Sequence, residues 1–114
     1  MTGPVNELGL SPLEIECLRA VCASRWPDVD LDAVRVLGRA NTGVGKFVML
    51  QDANQGLLPD GWYEASNQTL WMEGLVHPLD FVLMVREGRM HMLELVSASP
   101  SWDGVERPWR VETW

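Results

Sequence analysis

The sequence predicts an α+β fold: an N-terminal helix packed on a mainly antiparallel sheet of four to five strands. Three observations carry the prediction. Ser11-Pro12-Leu13-Glu14 is a helix start that opens a stretch of helical apolar spacing. Short runs of β-forming residues follow, separated by turn residues and without a second helical pattern. Runs of strands with no helix between them pair antiparallel.

Residues 1–10 mix glycine, proline and polar side chains and read as a loose lead-in. In the helix start, Ser11 is the cap, Pro12 suits the first helical position and Glu14 completes a capping box. Leu13, Cys17 and Ala20 or Val21 form one stripe, which Leu18 and Cys22 widen. Pro27 ends the helix near Arg25 or Trp26. The acidic run 28–32 reads as a connector or one short turn. Val34 to Ala40 and Phe47 to Leu50 are strands that flank a glycine turn, so they form a hairpin. Residues 53–61 are a loop, 62–66 a short extended piece, and Asn67-Gln68 a turn. Thr69 to Leu75 is the third strand. Leu79 to Val85, nearly continuous in apolar residues, is a central fourth strand, and Met90 to Ser97 is the fifth. The last two strands form a hairpin across a short Glu-Gly turn. The tail after Ser99-Pro100 has no clear period. Trp102 is expected to fold back onto the sheet, with residues 103–114 loose or peripheral.

The chain of 114 residues fits one domain with a single core, and its 46% apolar content argues against disorder. Sixteen acidic and nine basic side chains give a net charge of −7. That balance argues against nucleic acid and against an anionic membrane surface as partners. It suits solubility, and it would also suit a basic protein partner. The two cysteines are five residues apart in the helix, about 140° around its axis, and read as reduced thiols in a cytoplasmic protein. The N-terminus lacks the pattern of a secretory signal. The longest apolar stretch, Phe81 to Val85, is too short to span a bilayer.

The segment from Ala40 to Lys46 matches most of a phosphate-binding loop. That chemistry also needs Ser or Thr after the lysine and a helix beginning there. Phe47 follows instead, then the β-formers Val48-Met49-Leu50, so the glycines are read as a hairpin turn. Replacement of Lys46 by Ala is accordingly expected to leave stability almost unchanged. His91 and Glu94, three apart on one strand, point to opposite faces, and neither a metal nor a cofactor is expected. Glu73 and Glu94 could meet as a carboxylate pair, although an inward glutamate paired with Arg39 or Arg35 is the simpler role. Six tryptophans are too many for one small core. Some cap the sheet with wet polar tips, or they form an aromatic contact surface.

Arg39 with Thr42-Gly43-Val44-Gly45 and Phe47, then Gly88 and a strand ending in Leu93-Glu94, then Trp102, resemble a family of small uncharacterised bacterial proteins. Those proteins share an Arg-x-x-Thr-Gly-x-Gly-x-Phe hairpin and a C-terminal hairpin ending in Leu-Glu. The resemblance covers residues 35–102 and implies an α+β fold and a bacterial cytoplasmic setting, with no established reaction. In size and acidity the chain is also similar to immunity proteins that neutralise bacterial toxins, an analogy only.

The expected function is therefore non-enzymatic protein binding, with a basic toxin as one partner and Arg39, Trp71, Glu73, Glu94 and Trp102 as the binding residues. The alternatives are a small-molecule-binding domain or small enzyme with a pocket near Arg39, Glu73 and Glu94, and a homodimer that covers its open sheet face.

Overall fold

Ser11 caps helix α1 (Pro12–Cys22) as the sequence predicts, with both arms of the capping box formed. The Ser11 hydroxyl accepts from the Glu14 amide at 3.1 Å, and the Glu14 carboxylate accepts from the Ser11 amide at 2.9 Å. The helix stops at Cys22, one turn earlier than predicted. The amides of Arg25 and Trp26 both donate to the Cys22 carbonyl, so the chain coils off before Pro27, whose ring disfavours a helical residue 26. Trp26 then packs edge-on against Tyr63, with ring centroids 4.8 Å apart.

In the computed structural model, residues 8–23, 25–56, 58–65, 67–97 and 101–114 are described. The expectations for residues 1–7, Ser66 and Ser99-Pro100 lie outside them. A single 3₁₀ turn (Leu31–Ala33) leads into β1 (Val34–Asn41), β2 (Gly45–Asp52), β3 (Gly61–Tyr63), β4 (Gln68–Met72), β5 (Asp80–Arg86), β6 (Arg89–Val96) and β7 (Trp109–Thr113). Five strands form one antiparallel sheet in the order β1-β2-β6-β5-β3. The fold class is the predicted one: α+β, with the helix on a mainly antiparallel sheet. Both predicted hairpins are present. The β5–β6 turn places Glu87 and Gly88 at φ of 55° and 77°, the paired positive values that a two-residue hairpin loop needs.

Two expectations need correction. The strand predicted at Thr69–Leu75 does not join the main sheet; β4 pairs with β7 in a separate two-stranded sheet. The tail is correspondingly peripheral rather than loose, since β7 pairs with β4 and sets Val111 and Trp109 opposite Leu70 and Met72. The lead-in is also partly ordered: Leu8 accepts from the Val36 amide beside β1, and Leu10 is fully buried.

The pairing register separates the two faces of the main sheet. On the inner face lie Val34, Val48, Leu50, Leu83, Leu93 and Leu95, all in one core with Leu13, Cys17, Leu18 and Val21 of α1. The inward side of the small sheet, Leu70 and Met72, completes that core. Trp102 lies in it at 1% exposure, and its indole N–H donates to the Val105 carbonyl at 2.8 Å. Replacing Trp102 by Ala should cost about 3–5 kcal/mol, read from urea denaturation, because cavity and lost hydrogen bond add.

Candidate functional site

The residues expected to bind do not converge. Arg39 pairs with Val48 across β1–β2, and Val48 with Leu93, so Arg39 projects from the inner face. Glu94 pairs with Phe47 and Val82 and projects from the opposite face. Glu73 is exposed just beyond β4, where it lines a shallow groove of about 440 Å³ with Trp71, Pro108 and Arg110; neither Arg39 nor Glu94 reaches it. Trp71 is on the outward side of the small sheet, with the Arg110 guanidinium 5.4 Å from its ring centre. Trp102 is core. A pocket built from Arg39, Glu73 and Glu94 is thus excluded by sheet alternation. The tryptophans form no single patch either, with Trp102 buried while Trp62 and Trp114 are exposed at separate places.

What Arg39 does instead is pair with a carboxylate that the sequence reading assigned only to capping. Glu14 is fully buried. One of its oxygens accepts from the Arg39 Nε at 2.8 Å and the Lys46 Nζ at 2.7 Å. The other accepts from a second Arg39 nitrogen and from the Ser11 amide. Lys46 also meets Glu106 at 2.7 Å, and Arg39 reaches the Gly9 carbonyl. Two carboxylates thus face two cations in one cluster, and every oxygen of the buried one is used. The tail is shaped to deliver Glu106: Asp103 and Arg107 on either side of it are joined at 2.8 Å. Arg107 holds the Asp103 carboxyl down at about 2.

Burial alone would raise the Glu14 pKa, but the hydrogen bonds from Arg39, Lys46 and Ser11 outweigh it and hold the carboxyl below its ordinary value. Burial lifts Cys17 well above the usual thiol range and Cys22 to about 11, so both are neutral thiols near pH 7 and poor nucleophiles.

Lys46 is therefore not a residue whose loss stability would ignore. It is 6% exposed, and its removal leaves two carboxylates short of a partner. The turn beside it cannot cradle phosphate as it stands. The Gly43 amide donates to the Asn41 side chain, the Thr42 amide to the Gly45 carbonyl, and the Val44 amide to the Thr42 hydroxyl. Gly43 sits at φ 86°, where side chains are strained, and a Cβ on Gly45 would strike the Leu95 carbonyl oxygen.

The other face of the main sheet is turned away from α1 and the small sheet. Met49, Met92 and Met84 are aligned across β2, β6 and β5, with Trp62 of β3 beside them. Phe47 and Val82 flank Glu94 in the next row. Phe47, Met49, Val82 and Met92 are half-buried and stand outside the core cluster that inner-face Tyr63 and Val36 pack against, while Met84 is buried at 7% exposure. Trp62 is 59% exposed. Sequence alternation marks these positions as one face, but only the register shows that α1 and the small sheet are both on the other.

No protein-family model, curated protein or solved structure matches the chain. No helix among the described residues is long and apolar enough to cross a membrane.

Lys46→Ala should lower stability by about 3 kcal/mol or more in urea denaturation, the cost of breaking a buried ion pair. The Glu14 shift has a pH signature. Its contribution is present in full above the ordinary value of 4.5 and is lost as pH falls through the lower folded-state value. Urea midpoints followed between about pH 6 and pH 3 should fall, and in Glu14→Gln that part of the fall should disappear.

Proposed function

We infer that this is a non-enzymatic protein-binding domain that engages its partner through the open face of the main sheet. One observation carries the reading. Phe47, Met49, Val82 and Met92 are half-buried apolar side chains on one face outside the core cluster, with buried Met84 among them and Trp62 exposed at the border. A patch of that kind marks an interaction surface. Methionine and aromatic side chains are the types favoured at the centre of interfaces. The inner cluster argues in the same direction, since its charged groups satisfy one another and are turned away from any substrate.

The proposal takes in the resemblance of residues 35–102 to small bacterial proteins. Its narrower form, neutralisation of a basic toxin in the cytoplasm, is supported by the net charge of −7, which would steer a basic partner toward the chain before it seats on the open face.

The reading is tested by capture from the native host with tagged protein as bait. Met49→Lys places a charge at the centre of the face and should abolish capture, with circular dichroism confirming the fold. Glu112→Lys, on the outward side of β7, should leave capture intact. Equal capture by both variants would refute the face as the binding surface.

A further inference from the structure

The charges that the strands themselves place on the open face are sorted by end, while Glu87 and Asp60 stand at the tip of the β5–β6 turn. Arg86 and Arg89 are paired at the turn end of β5–β6, and Arg35 on β1 belongs to the same end. The contact of the Arg86 guanidinium with the Met84 sulfur, at 3.8 Å, fixes its side chain on this face. Asp80, paired with Val96, and Glu94, paired with Val82, stand toward the other end of the same strands. Between the ends lies the methionine row. Among the described residues, Arg86, Arg89, Asp80 and Glu94 take part in no ion pair. Although the chain carries −7, these strands present one more positive than negative side chain here, so the acidic excess lies elsewhere.

A surface that is basic at one end, apolar in the middle and acidic at the other is complementary to itself when turned end for end. We propose, building on the reading of the open face as a docking surface, that its occupant is a second copy of this chain. The two sheets pack face to face about a two-fold axis lying in the interface and crossing the strands. That operator keeps each strand over its own copy and reverses its direction. It places Arg86 at one end of β5 over Asp80 at the other end of the partner's β5. In the same way it brings Arg89 of β6 toward the acidic end that holds Glu94. The axis then passes at the level of Leu83 and Leu93, and each methionine row meets the partner's Phe47–Val82 row across it. A two-fold axis parallel to the strands would instead stack arginine on arginine and carboxylate on carboxylate.

The dimensions agree. Four strands of seven or eight residues and the three-residue β3, about 4.8 Å apart, give a face of roughly 550 Å² in projection. Side-chain relief adds to that area, and a standard interface takes about 800 Å² from each partner. Facing sheets pack with strands nearly aligned, which the operator allows. An unrelated basic partner would meet Arg35 and Arg86 at one end, beside an Arg89 that bonds the Gly56 carbonyl, whereas a second copy supplies carboxylates to that end.

The test is sedimentation equilibrium of the full chain with a pair of charge-reversed variants, circular dichroism reporting that each is folded. Wild type should dimerise at micromolar concentration. Arg86→Glu/Arg89→Glu and Asp80→Arg/Glu94→Arg should each self-associate at least about tenfold more weakly, since both ends then repel. Mixed in equal amounts the two variants should form a heterodimer, because each supplies the charge the other has lost. A wild-type chain that stays monomeric at 100 times that concentration overturns the proposal, and so do variants that dimerise as well as wild type. If the chain is monomeric and still loses its captured proteins on Met49→Lys, only the second copy is refuted. If Met49→Lys affects neither dimerisation nor capture, the docking surface itself is refuted.

Discussion

The carboxylate of Glu14 is the point on which the two halves of the inner layer depend. It closes the capping box of α1, so it fixes where the helix begins. The same two oxygens bind Arg39 from β1 and Lys46 from β2. Through Lys46 the contact extends to Glu106 in the tail. One side chain thus ties the helix start to both strands of the first hairpin and to the segment leading into β7. A lone buried carboxylate would be costly, and this one is tolerated because every lone-pair direction is met by a donor. The depressed pKa is the thermodynamic expression of the same fact.

That arrangement has a consequence for where binding can occur. The helix and the small β4–β7 sheet both pack on the inner face, and the charged residues that resemble a site from the sequence are consumed in holding them there. The glycine turn is likewise committed, its amides bonded within the turn and its lysine buried. What the fold leaves over is the outer face of the five-stranded sheet, with apolar side chains in its middle rows and charges at its two ends. A one-layer sheet with only one face covered is a common antiparallel arrangement when the other face is polar. Here Met49, Met84 and Met92 take the places that polar residues would occupy.

Local signals carried the elements that form locally. The Ser11–Glu14 cap, the β1–β2 hairpin and the β5–β6 hairpin are all set by residues within a few positions of one another. The β4–β7 sheet is different, because it joins residues 68–72 to 109–113 and neither segment names the other. Without that pairing β4 reads as a member of the main sheet and the tail as loose. The ion cluster had a legible trace. Glu14 stands in the same helical stripe as Cys17, Leu18 and Val21, and Lys46 alternates in phase with Val48 and Leu50. A charge in phase with a buried stripe is a signal of buried pairing, and the capping and turn motifs gave each residue a sufficient local role that masked it. Of the five expected binding residues, only Glu94 lies on the open face, since strand parity separates it from Arg39 and chain connectivity places Trp71 and Glu73 at the small sheet.

If the open face is the docking surface, Met49 and Met92 are accessible in the isolated chain and become covered on self-association. Methionine oxidation by dilute peroxide measures this directly, because the thioether reacts in proportion to its exposure. Core residues Met72 and Met90 serve as internal references. In dilute protein Met49 and Met92 should oxidise well ahead of Met72 and Met90, and their rates should fall toward the core values as protein concentration rises. Slow oxidation of Met49 and Met92 in dilute protein, or rates that do not change with concentration, would contradict the account.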